Sequence, residues 1–321
     1  MDFLRKQWFL ISLVAVLSIG MLAPTLLEAL ASWSRLRHVI VTLVMFMMAL
    51  TVDTRVAWQS IRRPWPALLG SAINIVLVPC LAILLSRLLR GELSIGIIVA
   101  ASVPCTLASA AVWTRRADGN DVTAILITLL TNATCFLWMP IWIVLGTQTQ
   151  TEITFAEIGS RLLWLVVVPM GSAQVCRTVH VVASTANRYR STLGICAQIG
   201  ILLMVLIAAV NSRLTLREID VAESVSVLQV LGMVAIVIVI HVTSLVLAYR
   251  LGSLFGLPRS ECIPVAFGGS QKTLMVGLDV ALQYFGGLAA LPMLVYHISQ
   301  LLIDTLIADR WRSTGSNTRR P

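Results

Sequence analysis

Apolar residues run along this chain in long blocks separated by short polar stretches. Ten blocks can be marked off, at 8–30, 36–52, 66–86, 94–114, 121–146, 158–176, 192–212, 224–249, 261–283 and 286–308. A helix needs about 20 mainly apolar residues to cross the ~30 Å hydrocarbon core of a bilayer, so each block predicts one transmembrane helix. The pattern therefore predicts an all-α polytopic membrane protein with ten spans. Little chain is left over for a separate soluble domain, and the Arg-rich segment 309–321 reads as a disordered cytoplasmic tail. The run 8–27 follows Arg5-Lys6 and precedes Ala29-Leu30-Ala31, much as in a secretory signal. It is longer than a usual signal core, and its removal would leave nine spans, so it is read as the first span.

The blocks divide near 148–157 into two sets of five, 8–146 and 158–308. Because five is odd, any structural repeat between the halves is inverted in the membrane. The fourth block contains Ser102-Val103-Pro104-Cys105-Thr106-Leu107-Ala108-Ser109-Ala110. The fourth block of the second half contains Pro264-Val265-Ala266-Phe267-Gly268-Gly269-Ser270-Gln271-Lys272-Thr273-Leu274. Each places Pro or Gly beside small hydroxyl residues in mid-span and then resumes as Thr-Leu. Pro removes a backbone donor and Gly-Gly eases non-helical geometry, so both helices are expected to break here. An opened backbone is tolerated at membrane depth only where protein covers it or it lines a cavity. Matched breaks in inverted halves point to a ligand site near the bilayer midplane, with half-helices starting near Thr106 and Thr273.

Composition agrees with this: 58% of residues are apolar and 12% charged, with a mean hydropathy of +0.89. A soluble domain carries about 25% charged residues, which excludes an ordinary water-soluble enzyme. The net charge of +9 comes from 24 Lys and Arg against 15 Asp and Glu. Sixteen of the basic residues, among them Arg55, Arg62, Arg63, Arg115, Arg116, Arg319 and Arg320, fall on the side of the termini. Seven, including Arg37 and Arg161, are assigned to the opposite loops. The positive-inside rule then places both termini in the cytoplasm, in a cell inner (plasma) membrane, and accounts for the charge without nucleic acid. The six cysteines form no C-x-x-C pattern and read as small packing residues. No G-x-S-x-G, H-E-x-x-H, P-loop or other enzyme or cofactor motif is present.

Lys272 is the basic residue that no loop explains. An intramembrane lysine costs about 2.5–3.5 kcal/mol on insertion scales, so it is expected to face the interior and to serve something. Asp279, seven residues on, and Asp304 in the last block are its candidate partners. Its ammonium could supply a fixed charge for an anion, occupy the place of a transported cation, or lock helices in an ion pair. Thr106, Ser109, Thr128, Asn132, Ser270, Gln271 and Thr273 form a polar set in the fourth, fifth and ninth blocks, suited to a hard cation or to interhelical hydrogen bonds. Asn74 adds an amide at membrane depth. His297, Gln300 and Asp304 lie on one helical stripe, as a proton relay or an interhelical network.

At these residues the chain resembles the bile acid:sodium symporter superfamily, and more closely its SBF-like branch. The resemblance rests on Ala108-Ser109-Ala110-Ala111-Val112 with Gly119-Asn120, on Gly269-Ser270-Gln271-Lys272-Thr273-Leu274, and on Leu291-Pro292 followed by Tyr296-His297 and Gln300-Leu301. It implies ten helices in two inverted five-helix repeats, a core of helices 3–5 and 8–10, a panel of helices 1, 2, 6 and 7, and broken helices 4 and 9 crossing in the core. It also implies a sodium site for the coupling ion, with Ser109, Thr128 and Gln271 at matching positions, Ser270 beside them, and Asn74 in place of a glutamine. Ala110 stands where the family has Asn, Phe267 where it has Glu, and Lys272 directly follows the matching Gln271. A cation about 4 Å from another costs on the order of 4 kcal/mol at an effective dielectric of 20, so these departures oppose sodium at that point.

The expected function is secondary transport of a small organic anion by alternating access, coupled to sodium or protons. Lys272, Thr106, Thr273, Asn132 and His297 are the expected substrate contacts. The alternative is a non-transporting membrane regulator or sensor of ion homeostasis on the same fold.

Overall fold

A computed structural model describes residues 2–53, 64–147, 153–218 and 226–317, which form helices and short connections and, among the described residues, no strand. Arg55, Arg62, Arg63, Arg319 and Arg320 of the charge count lie outside the described residues, as does the part of the expected division at 148–152.

Six helices among the described residues are long and apolar enough to cross a membrane, or seven if a bent N-terminal pair counts as one span. That pair is a correction to the expected single helix at 8–30. Helix α1 (Asp2–Leu22) and α2 (Pro24–Ser32) meet at a bend of 102°. Pro24 lacks an N–H and disfavours helical geometry in the residue before it, and Ala23 accordingly leaves the helical region at φ −124° and ψ 52°. Helix α3 (Ser34–Leu50) follows, and its 17 residues rise about 26 Å.

Helix α4 (Trp65–Ser86) contains a π-turn at Ile73–Leu77. The amide of Val78 reaches back five residues to the Ile73 carbonyl, and the next residue, Pro79, has no N–H to give. The carbonyl of Asn74 is thereby left without a helical donor in mid-span. Helix α8 (Phe155–Arg177) repeats the device, with a π-turn at Leu163–Val167 ahead of Val168-Pro169. A capping box of Thr154 with Glu157 starts that helix.

The fourth and ninth blocks are each two helices. Helix α5 (Gly91–Ser102) and α6 (Ser109–Arg116) are separated by non-helical chain at 103–108. Helix α12 (Arg259–Ser270) and α13 (Leu274–Tyr284) are separated at 271–273. The expected breaks are present, with two corrections of position. The half-helix expected near Thr106 begins at Ser109, and Pro264, Gly268 and Gly269 remain helical. The two glycines serve close packing instead: a Cβ on Gly268 would lie 2.8 Å from Ile127 Cδ1, and one on Gly269 3.1 Å from Ile73 Cγ2.

The remaining elements are α7 (Asp121–Thr147), α9 (His180–Arg188), α10 (Arg190–Glu218), α11 (Val227–Leu254) and α14 (Leu291–Asn317). Helix α14 corrects the tail: 309–317 is helical, not disordered, and Arg116 pairs in two-pronged fashion with Asp309 at 2.6 and 2.7 Å.

Helices α1, α2 and α3 pack with α10, and α8 packs on α3, to make one group; α4–α7 pack with α11–α14 into another. The groups touch chiefly where α8 meets α7 and α10 meets α13. Outside, residues such as Leu22, Leu26, Trp164, Val175, Leu228 and Leu254 are exposed, an apolar surface suited to lipid.

Candidate functional site

The two breaks meet. The backbone amide of Thr273 donates to the Pro104 carbonyl at 2.9 Å, tying one opened segment to the other. Each break is also held by the long helix that follows it. The peptide of Cys105 is clamped by α7, with Thr131 Oγ1 accepting from its N–H at 3.2 Å and Asn132 Nδ2 donating to its carbonyl at 2.8 Å. The peptide of Lys272 is clamped by α14, where Gln300 Oε1 accepts from its N–H and Gln300 Nε2 donates to its carbonyl, both at 3.0 Å. Buried backbone groups left unpaired cost about 1–3 kcal/mol each, and these side chains replace the lost helical partners.

The helix starts are also cross-tied. Glu92, in the first turn of α5, accepts from the amides of Leu288 and Ala289 ahead of α14 at 2.9 and 3.3 Å. Glu261, in the first turn of α12, accepts from Asn120 Nδ2 and Thr123 Oγ1 at the start of α7, both at 2.7 Å.

Lys272 is fully buried, and the structure corrects its expected partners. Its Nζ donates to the Asn74 carbonyl at 2.7 Å, to Asn74 Oδ1 at 3.1 Å and to the Val103 carbonyl at 3.0 Å. Asp279 is held by Arg161 Nε and Nη2 at 2.8 and 3.0 Å. Asp304 lies 2.9 Å from His241 Nε2 and accepts from Gln271 Nε2 at 2.6 Å. The reason is geometric: Lys272 sits in the break, so helical periodicity does not carry it to the face of Asp279.

The other expected residues fall into three groups. Thr106, Ser109 and Gln271 come together, with Gln271 Oε1 accepting from Thr106 Oγ1 at 2.7 Å and Ser109 Oγ 2.9 Å from the same oxygen. Asn74 Nδ2 donates to the carbonyls of Gly268 and Gln271 at 3.0 and 2.9 Å, joining α4 to the second break. Thr128 donates to the Thr106 carbonyl at 3.0 Å, and Asn132 belongs to the Cys105 clamp. Ser270 turns back on its own helix, donating to the Ala266 carbonyl at 2.9 Å. His297 lies 3.0 Å from Gln300 through Nδ1. Ala110 is buried, and Phe267 packs on Trp311 with ring centroids 5.3 Å apart.

The oxygens at Ser109, Thr106 and Gln271 are hydroxyls and an amide, already hydrogen-bonded among themselves, and the carboxylate of Asp304 is bonded to the Gln271 nitrogen instead. The Asn74 oxygens face an ammonium. The residues present therefore do not fit a sodium ion at Asn74. Among the described residues no group of three or more His, Cys, Asp or Glu is arranged to hold a metal ion.

A cavity of about 690 Å³ lies between the two helix groups. Phe9–Ile11 of α1, Met48 and Thr51 at the end of α3, and Gly194–Ile201 of α10 line one side. Thr106, Ser109, Thr273, Met275, His297 and Leu302 line the other, so the first turns of α6 and α13 face it. Arg37 and Arg161, assigned to loops above, lie instead in α3 and α8. With His38, Asp279 and Tyr284 they cluster at the opposite end of α3 from the cavity. Arg161 Nη2 is 2.6 Å from His38 Nε2, and its guanidinium lies 5.8 Å from the Tyr284 ring centroid.

Sequence reasoning missed His241 and the role of Tyr296, whose hydroxyl donates to the Ser270 carbonyl at 2.9 Å. His241 sits alone on an apolar helix, and only Asp304, sixty-three residues away, explains it.

Comparison with known proteins accords with these features. The chain is 22% identical to sodium/bile acid cotransporter 7 of Danio rerio, over 99% of this chain and 98% of that protein. It is 24% identical to a probable sodium/metabolite cotransporter, BASS4, chloroplastic, of Arabidopsis thaliana, over 99% of this chain and 75% of that protein. An uncharacterized protein of Pseudomonas aeruginosa is 27% identical over 76% of this chain and 74% of its own length. The sequence profile of one family matches residues 7–313, nearly the whole chain. This multi-pass membrane protein, with its two helices broken at a shared point beside a cavity, belongs to the SBF-like CPA transporter family.

Proposed function

We propose that the protein is a secondary transporter that carries a small to medium organic anion by alternating access. Its ten spans form two inverted repeats, 8–146 and 158–308, with spans 1, 2, 6 and 7 as the panel and 3–5 and 8–10 as the core. Both termini face the cytoplasm of a plasma membrane. The observation that carries this reading is the junction of the two breaks, Thr273 to Pro104, beside a cavity between two helix groups.

The inverted repeat draws support from reciprocity. Helices α5 and α12 have 12 residues each, and α7 and α14 have 27 each. Glu92 of the first half ties to the start of α14, and Glu261 of the second ties to the start of α7. The clamps on Cys105 and Lys272 correspond in the same way.

An anion suits the cavity because the first turns of α6 and α13 point the positive ends of their dipoles there, although the Ala110 amide of α6 already donates to Thr106 Oγ1. The apolar share of the lining, with Phe9, Leu107, Met275 and Leu302, suits an attached hydrophobic body. Relatives named as sodium cotransporters support sodium as the coupling ion, and protons are the alternative.

Alternating access can be tested without knowing the substrate. In a background with the native cysteines replaced, Ser109→Cys in oriented vesicles should react with an impermeant thiol reagent from the terminal side, and from the other side after the cycle is driven. Reaction from one side only, under imposed sodium gradients, proton gradients and added anions alike, would favour a fixed regulator or sensor and sink the transport reading. Anions selected by thermal shift then serve for uptake, and uptake indifferent to both gradients would remove coupling.

A further inference from the structure

Among the described residues, no carboxylate contacts the Lys272 ammonium. Its three contacts are two backbone carbonyls and one amide oxygen, at 2.7, 3.0 and 3.1 Å. The amide is oriented by its other end, since Asn74 Nδ2 donates to the carbonyls of Gly268 in the last turn of α12 and of Gln271 in the second break, and so turns Oδ1 toward Nζ. Three acceptors, none able to donate, call for three N–H groups, which is the charged ammonium. The carboxylates that could neutralise it are engaged elsewhere, Asp279 by Arg161 and Asp304 by His241 and Gln271.

Both carbonyls are free for a structural reason. The Asn74 carbonyl is released by the π-turn and by Pro79, and Val103 is the extended residue that ends α5, at the negative end of that helix. Neutral oxygens from interrupted backbone, converging on one buried positive charge, are the means by which proteins hold dehydrated monovalent cations. Here the charge is tethered to the chain at the point where the two breaks meet.

We propose that the Lys272 ammonium is a built-in monovalent cation, seated in an oxygen cage of Asn74 and Val103 that accepts a free small monovalent cation once the side chain is removed. The cage stands independently of the transport reading. Its consequence, a carrier that cycles without binding sodium at this position, rests on that reading.

The test is thermal unfolding of the purified full-length protein in chloride salts of sodium, potassium, methylammonium and N-methylglucamine at equal ionic strength. Wild type sets the baseline in each salt, so that any cation bound elsewhere cancels in the comparison. Lys272→Ala should be stabilised by several degrees in at least one of the three small cations relative to N-methylglucamine, saturably, as expected for a ligand bound by the native state alone. Adding Asn74→Leu should abolish that gain, and Lys272→Met, which refills the space with an apolar chain, should show none. A Lys272→Ala protein indifferent to all three small cations would overturn the proposal. Should that variant fail to fold, wild type with ¹⁵N-labelled lysine settles the matter. An exchange-protected NH₃⁺ resonance, absent from Lys272→Met, is expected, and its absence from wild type would overturn the proposal. Neither readout requires transport, so a failure here is distinct from a failure of the transport reading.

Discussion

The Arg161–Asp279 pair joins α8 of one helix group to α13 of the other, at the end of the molecule away from the cavity. Both prongs of the guanidinium are used, at 2.8 and 3.0 Å. The Asp279 side chain is 3% exposed and that of Arg161 14%. Removing one partner of a fully buried pair costs about 3–5 kcal/mol, because the other charge stays uncompensated. Arg161 keeps some solvent, the His38 ring and the face of Tyr284, which lowers the expected cost of Asp279→Asn to about 2–3 kcal/mol. Arg161→Gln strands Asp279, which has less access to water, and should cost at least as much. If the two side chains act on each other as the geometry indicates, the double variant loses much less than the sum, with a coupling of about 1.5–3 kcal/mol. Denaturant unfolding of the purified protein and its three variants in one detergent measures the cycle. A coupling under about 0.5 kcal/mol, the level of an exposed surface pair, would refute the view that this contact holds the two helix groups together.

Further expectations follow from particular contacts. The Arg116–Asp309 pair has the same two-pronged form, but its side chains are 38% and 53% exposed, so Asp309→Asn should change unfolding free energy by no more than about 1 kcal/mol. Gln300→Leu removes both bonds to the Lys272 peptide and should destabilise by about 2–4 kcal/mol, whereas Asn132→Leu, with Thr131 still bonded to Cys105, should cost less; equal losses would contradict the clamp. A Cβ at Gly20 would lie 2.7 Å from Ala209 Cβ and 3.0 Å from the Leu206 carbonyl, so Gly20→Val should separate α1 from α10 and lower stability by about 1–3 kcal/mol in a thermal melt.

Much of this protein was legible in its sequence because a membrane imposes one-dimensional rules. Apolar length marks helices, and proline with small polar residues marks where they open. By these rules breaks within 102–110 and 264–274 could be anticipated as a matched pair, though not their limits at 103–108 and 271–273. Lys272 stood out because an intramembrane charge has few bland explanations. The same rules misled where geometry departs from a straight helix. The block 8–30 reads as one apolar span, yet Pro24 folds it through 102°. Gly268 and Gly269 read as backbone openers but serve as a flat face for Ile127 and Ile73.

Pairing across the core was outside the reach of sequence. Periodicity relates residues of one continuous helix, and Lys272 belongs to none, so Asp279 was a natural but wrong partner. Asp279 met Arg161, 118 positions away, and Asp304 met His241, 63 away. Each was decided by which helix ends the packing brings together. What the sequence by itself determined was a chain of long apolar helices, the two stretches where backbone must leave the helix, and the presence of a lysine that needs oxygen around it. Only the tertiary structure decided which oxygens those are. The π-turn before Pro79 and the end of α5 release carbonyls whose directions exist only once α4, α5 and α12 are packed, and a buried ammonium is held by direction and distance, which a linear order of residues does not specify.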